Sequence, residues 1–189
     1  RHYKNVRSRL MGIPTLISNN IITSATTNLD ITSGIDNTYD EYMFVITDFH
    51  PVVDGVALSM AAATDAGSPS YSLLAKSTAI KAHHTEADAT QFGYHTDTDR
   101  TTYPFYITSP EVGNDNDENG ASIVHLFAPA STTYVKHFLV RTSQTISNPG
   151  NADVLVGGYF DTTSDIEAVR FGTSNGDIEN IYVQMYGIS

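Results

Sequence analysis

The sequence of 189 residues contains no cysteine and no tryptophan. Without cysteine the chain can form no disulfide bond, no thiolate metal site and no cysteine nucleophile. The fold therefore does not depend on the redox state of its compartment. The sequence also lacks any run of about 18 apolar residues, which a membrane-spanning helix requires. We therefore expect no insertion into a membrane.

Basic residues are scarce and unevenly distributed. Ten Lys and Arg stand against 21 Asp and Glu, and four of the ten (Arg1, Lys4, Arg7 and Arg9) lie within the first ten positions, which contain no acid. The acidic remainder would be repelled by phosphate groups, so we expect the body not to bind nucleic acid. A basic arm on an acidic body suits contact with a neighbouring copy, and we predict an assembly arm over residues 1–12. The alternative is a solvated tail.

Strong helix formers other than Ala are rare, whereas Thr, Ser, Asn, Gly and Asp are frequent. Short apolar runs recur at spacings of roughly 8–15 residues, with turn residues between them. This pattern predicts an all-β fold: one antiparallel, jelly-roll-like β-sandwich over residues 13–189, with about ten strands and little or no helix. The predicted strands cover residues 13–18, 28–32, 41–49, 56–60, 71–76, 103–108, 122–128, 133–141, 154–160, 166–171 and 178–186.

The run at 41–49 is apolar on both faces, which is typical of a central strand. We expect an inner layer that includes Tyr42, Phe44, Ile46, Leu139, Leu155 and Tyr182. The Asn-Gly pair at 175–176 predicts a hairpin between the last two strands. The polar, His-rich stretch 77–102 is predicted to be a long loop.

An acidic segment provides the best ligand-like motif. Asp115, Asp117, Asn119 and Gly120 occupy positions 1, 3, 5 and 6 of the calcium-binding EF-hand pattern. Position 12 requires a bidentate carboxylate and is Leu126, so the sequence excludes an EF-hand. A looser calcium loop and a merely solvated loop stay as alternatives, and we expect the second.

A weaker metal candidate consists of His95, Asp97 and Asp99, which alternate and would share one side of an extended segment. Imidazole and carboxylates bind zinc, manganese or iron. The segment contains no HExxH motif, and polar side chains on an exposed loop would show the same spacing. We therefore expect no tight metal site and no cofactor.

Three tyrosines border the middle of the chain: Tyr94, Tyr103 and Tyr106. Aromatic faces beside Asp and Asn suit contact with a sugar or a receptor, although packing within strands would explain Tyr103 and Tyr106 equally well. The sequence has no GxSxG nucleophile elbow. We predict that the protein is not an enzyme.

Two segments carry a resemblance. The first comprises Leu16–Ser18 and then LDITSGIDNTYDEYMFVITDF at 29–49, followed by His50-Pro51 and Asp54-Gly55. The second runs from Gly176 to Ile188 and ends in Tyr-Gly-Ile. Together they resemble the opening and the ending of a group of virion structural proteins from tailed bacteriophages of aquatic bacteria. Within this chain they cover about the first third and the last tenth.

The resemblance implies a non-enzymatic virion structural protein, of the capsid-decoration, minor structural or tail-fibre type. Our prediction is a particle-surface protein that works as a homo-oligomer, contacts other virion proteins and is located in the virion. The alternatives are a carbohydrate- or receptor-binding module that contacts a host-surface glycan and, third, a metal-dependent hydrolase on a jelly-roll scaffold.

Overall fold

The computed structural model of the protein describes residues 12–189, which form two antiparallel sheets and contain no helix. This confirms the predicted all-β sandwich. The strands number thirteen rather than about ten. In chain order they are β1 (Thr15–Ile22), β2 (Asn28–Ile31), β3 (Glu41–Pro51), β4 (Leu58–Ala63), β5 (Ala75–Thr85), β6 (Thr90–Tyr94), β7 (Thr101–Thr102), β8 (Phe105–Tyr106), β9 (Gly120–Phe127), β10 (Lys136–Ile146), β11 (Gly150–Phe160), β12 (Ala168–Thr173) and β13 (Ile178–Ile188).

The two sheets differ greatly in size. The large sheet has the strand order β1-β13-β3-β9-β10-β11-β5-β6, and β7 pairs with the first residues of β5. The small sheet has the order β2-β12-β4-β8 and ends in a strand of only two residues. Strands in a sheet lie about 4.8 Å apart, so the small sheet is less than half as wide as the large one. We call the face of the large sheet that packs on the small sheet the inner face, and the opposite one the outer face.

Two predictions about connections are wrong. The stretch predicted as a long loop, 77–102, contains most of β5 together with β6 and β7. The sequence pattern did not predict β5 as a strand because polar residues, Lys81 and Thr85, occupy positions on its buried side. The predicted hairpin at 175–176 is a crossover, since β12 belongs to the small sheet and β13 to the large one. Gly176 does adopt the positive φ that a tight turn requires, at 73°.

Aromatic rings join the sheets across the core. Phe105 of the small sheet stacks on Phe138 of the large sheet with ring centroids 4.2 Å apart, and Phe160 lies within 5.7 Å of Phe105. A second bridge joins Phe44 to Phe171, again at 5.7 Å. Offset and edge-to-face aromatic pairs of this kind stabilise a core beyond the area that they bury.

The predicted inner layer is confirmed in part. Tyr42, Phe44 and Ile46 are at most 1% exposed. Leu139 and Leu155 are 54% and 49% exposed, so their placement in the inner layer was wrong. Tyr182 is only half-buried. Side chains alternate between the two faces of a strand, and these three residues belong to the face that the small sheet does not cover.

The segment that carries the first resemblance folds as a turn that leads into β3. The Asp36 carboxylate accepts a hydrogen bond from the backbone N–H of Thr38 at 2.7 Å, and the Tyr42 hydroxyl lies 3.0 Å from the same oxygen. Hydrogen bonds from the Thr38 side chain and backbone lower the pKa of Asp36 below its usual value. This Asx-type turn fixes the entry into the central strand.

Candidate functional site

The sequence-predicted site residues lie apart from one another. Arg1, Lys4, Arg7 and Arg9 of the predicted arm fall outside the described residues. The three tyrosines lie on different elements. Tyr94 is 62% exposed at the end of β6, and its hydroxyl bonds to Asp99.

The other two tyrosines lie further along the chain. Tyr106 belongs to β8 of the small sheet, where the Arg100 guanidinium lies 5.2 Å from the centre of its ring. Tyr103 is 51% exposed and lies between β7 and β8. Among the described residues no ring contact joins these tyrosines, although Tyr94 and Tyr106 contact the consecutive residues Asp99 and Arg100.

The acidic segment 115–120 forms hydrogen bonds within itself and with β10. The Glu118 carboxylate accepts a hydrogen bond from the backbone N–H of Asp115, at 2.9 Å, and the Thr145 hydroxyl accepts one from that of Asn119. Asp115 and Asp117 are exposed. Within residues 12–189 no group of three or more His, Asp and Glu side chains has the geometry to hold a metal ion.

His95 and Asp97 line one cavity but differ in exposure. A turn begins immediately after His95, and it leaves Asp97 exposed while His95 is 8% exposed. The His95 Nδ1 lies 2.5 Å from the Thr98 hydroxyl. Its other ring nitrogen, Nε2, makes no hydrogen bond with the described residues. The imidazole therefore lies within a cavity and not on an open loop.

The outer face of the large sheet carries a continuous band of apolar side chains. The cross-strand register places one row of residues directly side by side over β3, β9, β10, β11, β5 and β6. In that order the row consists of Val45, Ile123, Arg141, Leu155, Ile80 and Tyr94. The next row places Met43, His125, Leu139, Gly157 and Thr78 in line. Isolated exposed apolar residues are ordinary, but a contiguous set marks an interaction surface.

A groove of about 480 Å³ runs along this band. We call it the apolar groove. Its walls include Ile80, Ile123, Leu139 and Leu155, which are 40–54% exposed. Gly157 lines the floor, where the absence of a side chain keeps the space beside Leu139 open.

Charged side chains on the outer face are paired within the chain. The Arg141 guanidinium lies 3.0 Å from Asp153, and Lys76 lies 2.7 Å from Asp161. His125 lies 2.5 Å from Glu41. These pairs leave the face nearly neutral, so a partner of strong single-sign charge would find no matching groups here.

A second, polar site lies at the β5–β6 edge, on the inner side of the large sheet. We call it the edge cavity, and its volume is about 240 Å³. Lys81 Nζ donates a 2.6 Å hydrogen bond to Glu111 Oε2, which also accepts one from the Ser109 hydroxyl at 2.9 Å. The Ser109 hydroxyl in turn accepts a hydrogen bond from the Gln144 amide at 2.8 Å. This chain of contacts fixes the carboxylate in place.

The titratable groups of the edge cavity affect one another. Burial lowers the pKa of His95, the nearby Lys81 ammonium lowers it further, and the carboxylates of Asp97 and Glu111 oppose both effects in part. Burial alone would raise the pKa of Glu111, but hydrogen bonds from Lys81 and Ser109 outweigh it, so the pKa is lowered. Mutually perturbed groups around a cavity are typical of functional sites.

Comparison with protein families, curated proteins and solved structures finds no match to this chain. The candidate sites therefore depend on the geometry alone. Sequence reasoning named His95 and Asp97 but missed Lys81 and Glu111, whose pairing spans 30 residues of chain. It placed Leu139 and Leu155 correctly in strands but on the wrong face. The available signal was the polar residues two positions away on the same face, such as Arg141 beside Leu139 and Asp153 beside Leu155.

Proposed function

We propose that this protein is a non-enzymatic structural component that assembles with a second copy of itself through the apolar groove, on the surface of a phage particle. The observation that carries the proposal is the row of apolar side chains on the uncovered face, which Arg141 interrupts. Full burial of an exposed side chain of this type contributes about 1.5–3 kcal/mol, and the apolar side chains in the groove walls, which are 40–54% exposed, can gain about half of that. The chain has a net charge of −11, yet this face is nearly neutral and largely apolar. Such a surface is suited to association.

The dimensions of the outer face favour a second copy as the occupant. Eight strands spaced about 4.8 Å apart span roughly 34 Å, and strands of 11 residues are about 36 Å long, which gives a face of about 1,200 Å². A stable pair of proteins buries about 800 Å² on each partner. The face is therefore large enough for one self-complementary interface.

Charge also favours a second copy. A two-fold interface brings the same patch of both subunits together, so its charge pattern must match itself. The outer face meets this condition because Arg141 and Asp153 lie side by side in the middle of it, 3.0 Å apart. Two copies can exchange these partners across the axis without leaving a charge unpaired.

The resemblance at 29–49 and 176–188 supports a phage particle as the place of assembly. Residues 29–31 belong to β2 of the small sheet, 41–49 belongs to β3, and 178–188 forms β13, which pairs with β3. The resembling residues therefore contribute two strands to the sheet that carries the apolar groove, although none of them lines the groove.

Sedimentation velocity on the full chain tests the assembly. We expect the wild type to sediment as a dimer or a larger assembly at tens of micromolar, and Leu139→Lys to sediment as a monomer. A two-fold interface contains each substitution twice, so we expect the free energy of association to weaken by about 3 kcal/mol or more. This corresponds to at least a 100-fold increase in Kd. Tyr134→Lys is the matched control, because Tyr134 is 74% exposed but lies in the loop before β10. A monomeric wild type, or an unchanged Leu139→Lys assembly, would refute this interface.

Antibody labelling of purified particles tests the location separately. We expect regular decoration of the capsid or tail in electron micrographs and recovery of the chain by mass spectrometry of particles purified on a density gradient. If the chain stays in the unassembled fraction of the lysate, the protein is not a virion component, whatever its oligomeric state.

A further inference from the structure

The edge cavity has features that the packing of a sandwich does not require. It opens beside β6, the last strand of the large sheet, and the inward-facing positions there are Gln91 and Gly93. Gly93 pairs with Lys81 across the strands, and a Cβ placed on Gly93 would meet no atom within 4 Å. Its backbone also lacks the positive φ that would require glycine. The missing side chain therefore leaves open space in front of Lys81.

Two buried polar side chains in the cavity retain unused hydrogen-bonding capacity. Lys81 is only 8% exposed, yet its ammonium, which carries three N–H groups, makes one side-chain hydrogen bond among the described residues, to Glu111. His95 is likewise 8% exposed and leaves Nε2 without a partner in residues 12–189. Both groups face the open cavity, so their remaining hydrogen-bonding capacity is available to a ligand bound there.

The chemistry of the lining limits what that ligand can be. Lys81 offers donors, the carboxylates of Glu111 and Asp97 offer acceptors, and the Gln91 amide offers both. Two carboxylates against one ammonium disfavour an anion. The ammonium is already neutralised by Glu111 at 2.6 Å, which leaves no free cation to bind the carboxylate of an amino acid. A neutral molecule with several hydroxyl groups satisfies every one of these groups, because each hydroxyl both donates and accepts.

The size of the cavity limits the ligand further. Sites for drug-sized molecules occupy about 300–1,000 Å³, and this cavity has about 240 Å³, which fits a single six-membered sugar ring. We propose that the edge cavity binds one neutral sugar residue, held by Lys81, Glu111, Asp97, Gln91 and His95. The site shares no wall residue with the apolar groove, although Tyr94 at its rim belongs to the outer-face row.

Ligand-observed saturation-transfer NMR on the full chain tests the site. The probes are the methyl glycosides of glucose, galactose, mannose and N-acetylglucosamine at millimolar concentration, with N-acetylneuraminic acid and serine as an anionic and a zwitterionic comparison. We expect saturation of at least one neutral glycoside and a several-fold weaker effect for the two comparison compounds. If no glycoside is saturated, or if only the anion or serine is, the proposal is wrong.

Variants locate the binding. Gly93→Leu should fill the cavity and weaken glycoside binding at least tenfold, and the open space around Gly93 allows the added side chain. Phe92→Leu is the matched control, since Phe92 is the neighbouring residue of β6 and is 77% exposed on the outer face, and it should bind as the wild type does. Glu111→Gln provides a second variant and should also bind the glycoside at least tenfold more weakly. Binding that persists in both Gly93→Leu and Glu111→Gln would overturn the assignment.

A further measurement separates two sources of the sugar. If a disaccharide binds as tightly as the preferred methyl glycoside, the site accepts the terminal residue of a glycan. If the disaccharide binds at least tenfold more weakly, the site is closed around a free monosaccharide. Either result supports a site for one sugar ring, and a disaccharide that binds while all four methyl glycosides fail would contradict it.

Discussion

The two faces of the large sheet are built from the same strands but differ in what covers them. On β10, Phe138 is completely buried against Phe105 and Phe160, whereas the next residue, Leu139, is 54% exposed on the opposite face. On β11, Val154 and Val156 are at most 2% exposed, and Leu155 between them is 49% exposed. On the outer face Leu139 and Leu155 stand among polar or small residues such as Arg141, Asp153 and Gly157, and the described residues supply no cover for them.

This difference shows that apolar side chains in a strand can serve two separate purposes. On the inner face they contribute to folding, because the small sheet removes them from water within one chain. On the outer face they are only about half-buried within the chain, so they contribute less to folding and part of their apolar area remains in water. The comparison yields predictions in which adjacent residues on opposite faces should respond differently to the same change.

The largest difference is expected between Phe138→Ala and Leu139→Ala. Loss of the Phe138 ring leaves a cavity between two aromatic neighbours and should lower the free energy of unfolding by about 3–5 kcal/mol. Leu139→Ala should lower it by less than about 1 kcal/mol, since more than half of that side chain is already in water. Urea unfolding followed by circular dichroism, at a dilution where the chain is monomeric, measures both. Equal losses would mean that the outer face is covered within the monomer.

A smaller difference is expected between two adjacent glycines of β11. A Cβ on Gly158 would lie 2.6 Å from the Phe138 ring and would also collide with the backbone oxygen of Lys76. A Cβ on Gly157 would meet only Leu139, at an ordinary 3.6 Å.

We therefore expect Gly158→Ala to destabilise the fold by about 1–3 kcal/mol, because the added methyl overpacks the inner face. Gly157→Ala should be neutral or stabilise the fold by up to about 1 kcal/mol, since it reduces the freedom of the unfolded chain. Thermal unfolding of the two variants gives the comparison directly. A destabilising Gly157→Ala would show that the groove floor is tighter than the structure indicates.

The contrast between the faces also explains what could be predicted from the sequence. The sandwich, the strand at 41–49 and the burial of Tyr42, Phe44 and Ile46 followed from local patterns, because alternation and turn residues are properties of short segments. Which face of 136–146 is covered depends on a sheet assembled from segments far away in the chain. Leu139 and Leu155 were therefore assigned to strands correctly and to the wrong face.

The edge cavity was less accessible to sequence reasoning for a related reason. Lys81 lies on the buried side of β5 only because Glu111, 30 residues later, neutralises it. In the sequence both read as solvent-exposed charges within polar loops. The alternation of His95 and Asp97 was noticed, but short-range pattern could not show that they line a cavity together with Lys81 and Glu111.

The smallest expected effect is on the pH dependence of stability. It distinguishes His95 of the edge cavity from His137 of the outer face. The pKa of His95 in the folded protein lies below the ordinary imidazole value of 6.5, mainly because the ring is buried and secondly because Lys81 is close. The unfolded chain therefore binds protons more readily than the folded one. The contribution of His95 to stability is fully present above about pH 6.5 and is lost as the pH falls below it. Glu111, with a lowered pKa, adds a further loss below about pH 4.5.

We therefore expect the melting temperature to fall between pH 7.5 and pH 5, and His95→Asn to reduce the slope of that fall. The Asn side chain can still bond to the Thr98 hydroxyl, so the slope and not the absolute Tm carries the information. His137→Asn is the matched control, because His137 is an exposed residue of the outer face and its removal should leave the slope nearly unchanged. The carboxylates of Asp97 and Glu111 remain in both variants, so a difference in slope belongs to the imidazole itself. If His137→Asn reduced the slope of Tm against pH and His95→Asn did not, the acid sensitivity would arise on the outer face, where the proposed interface lies, and not in the edge cavity.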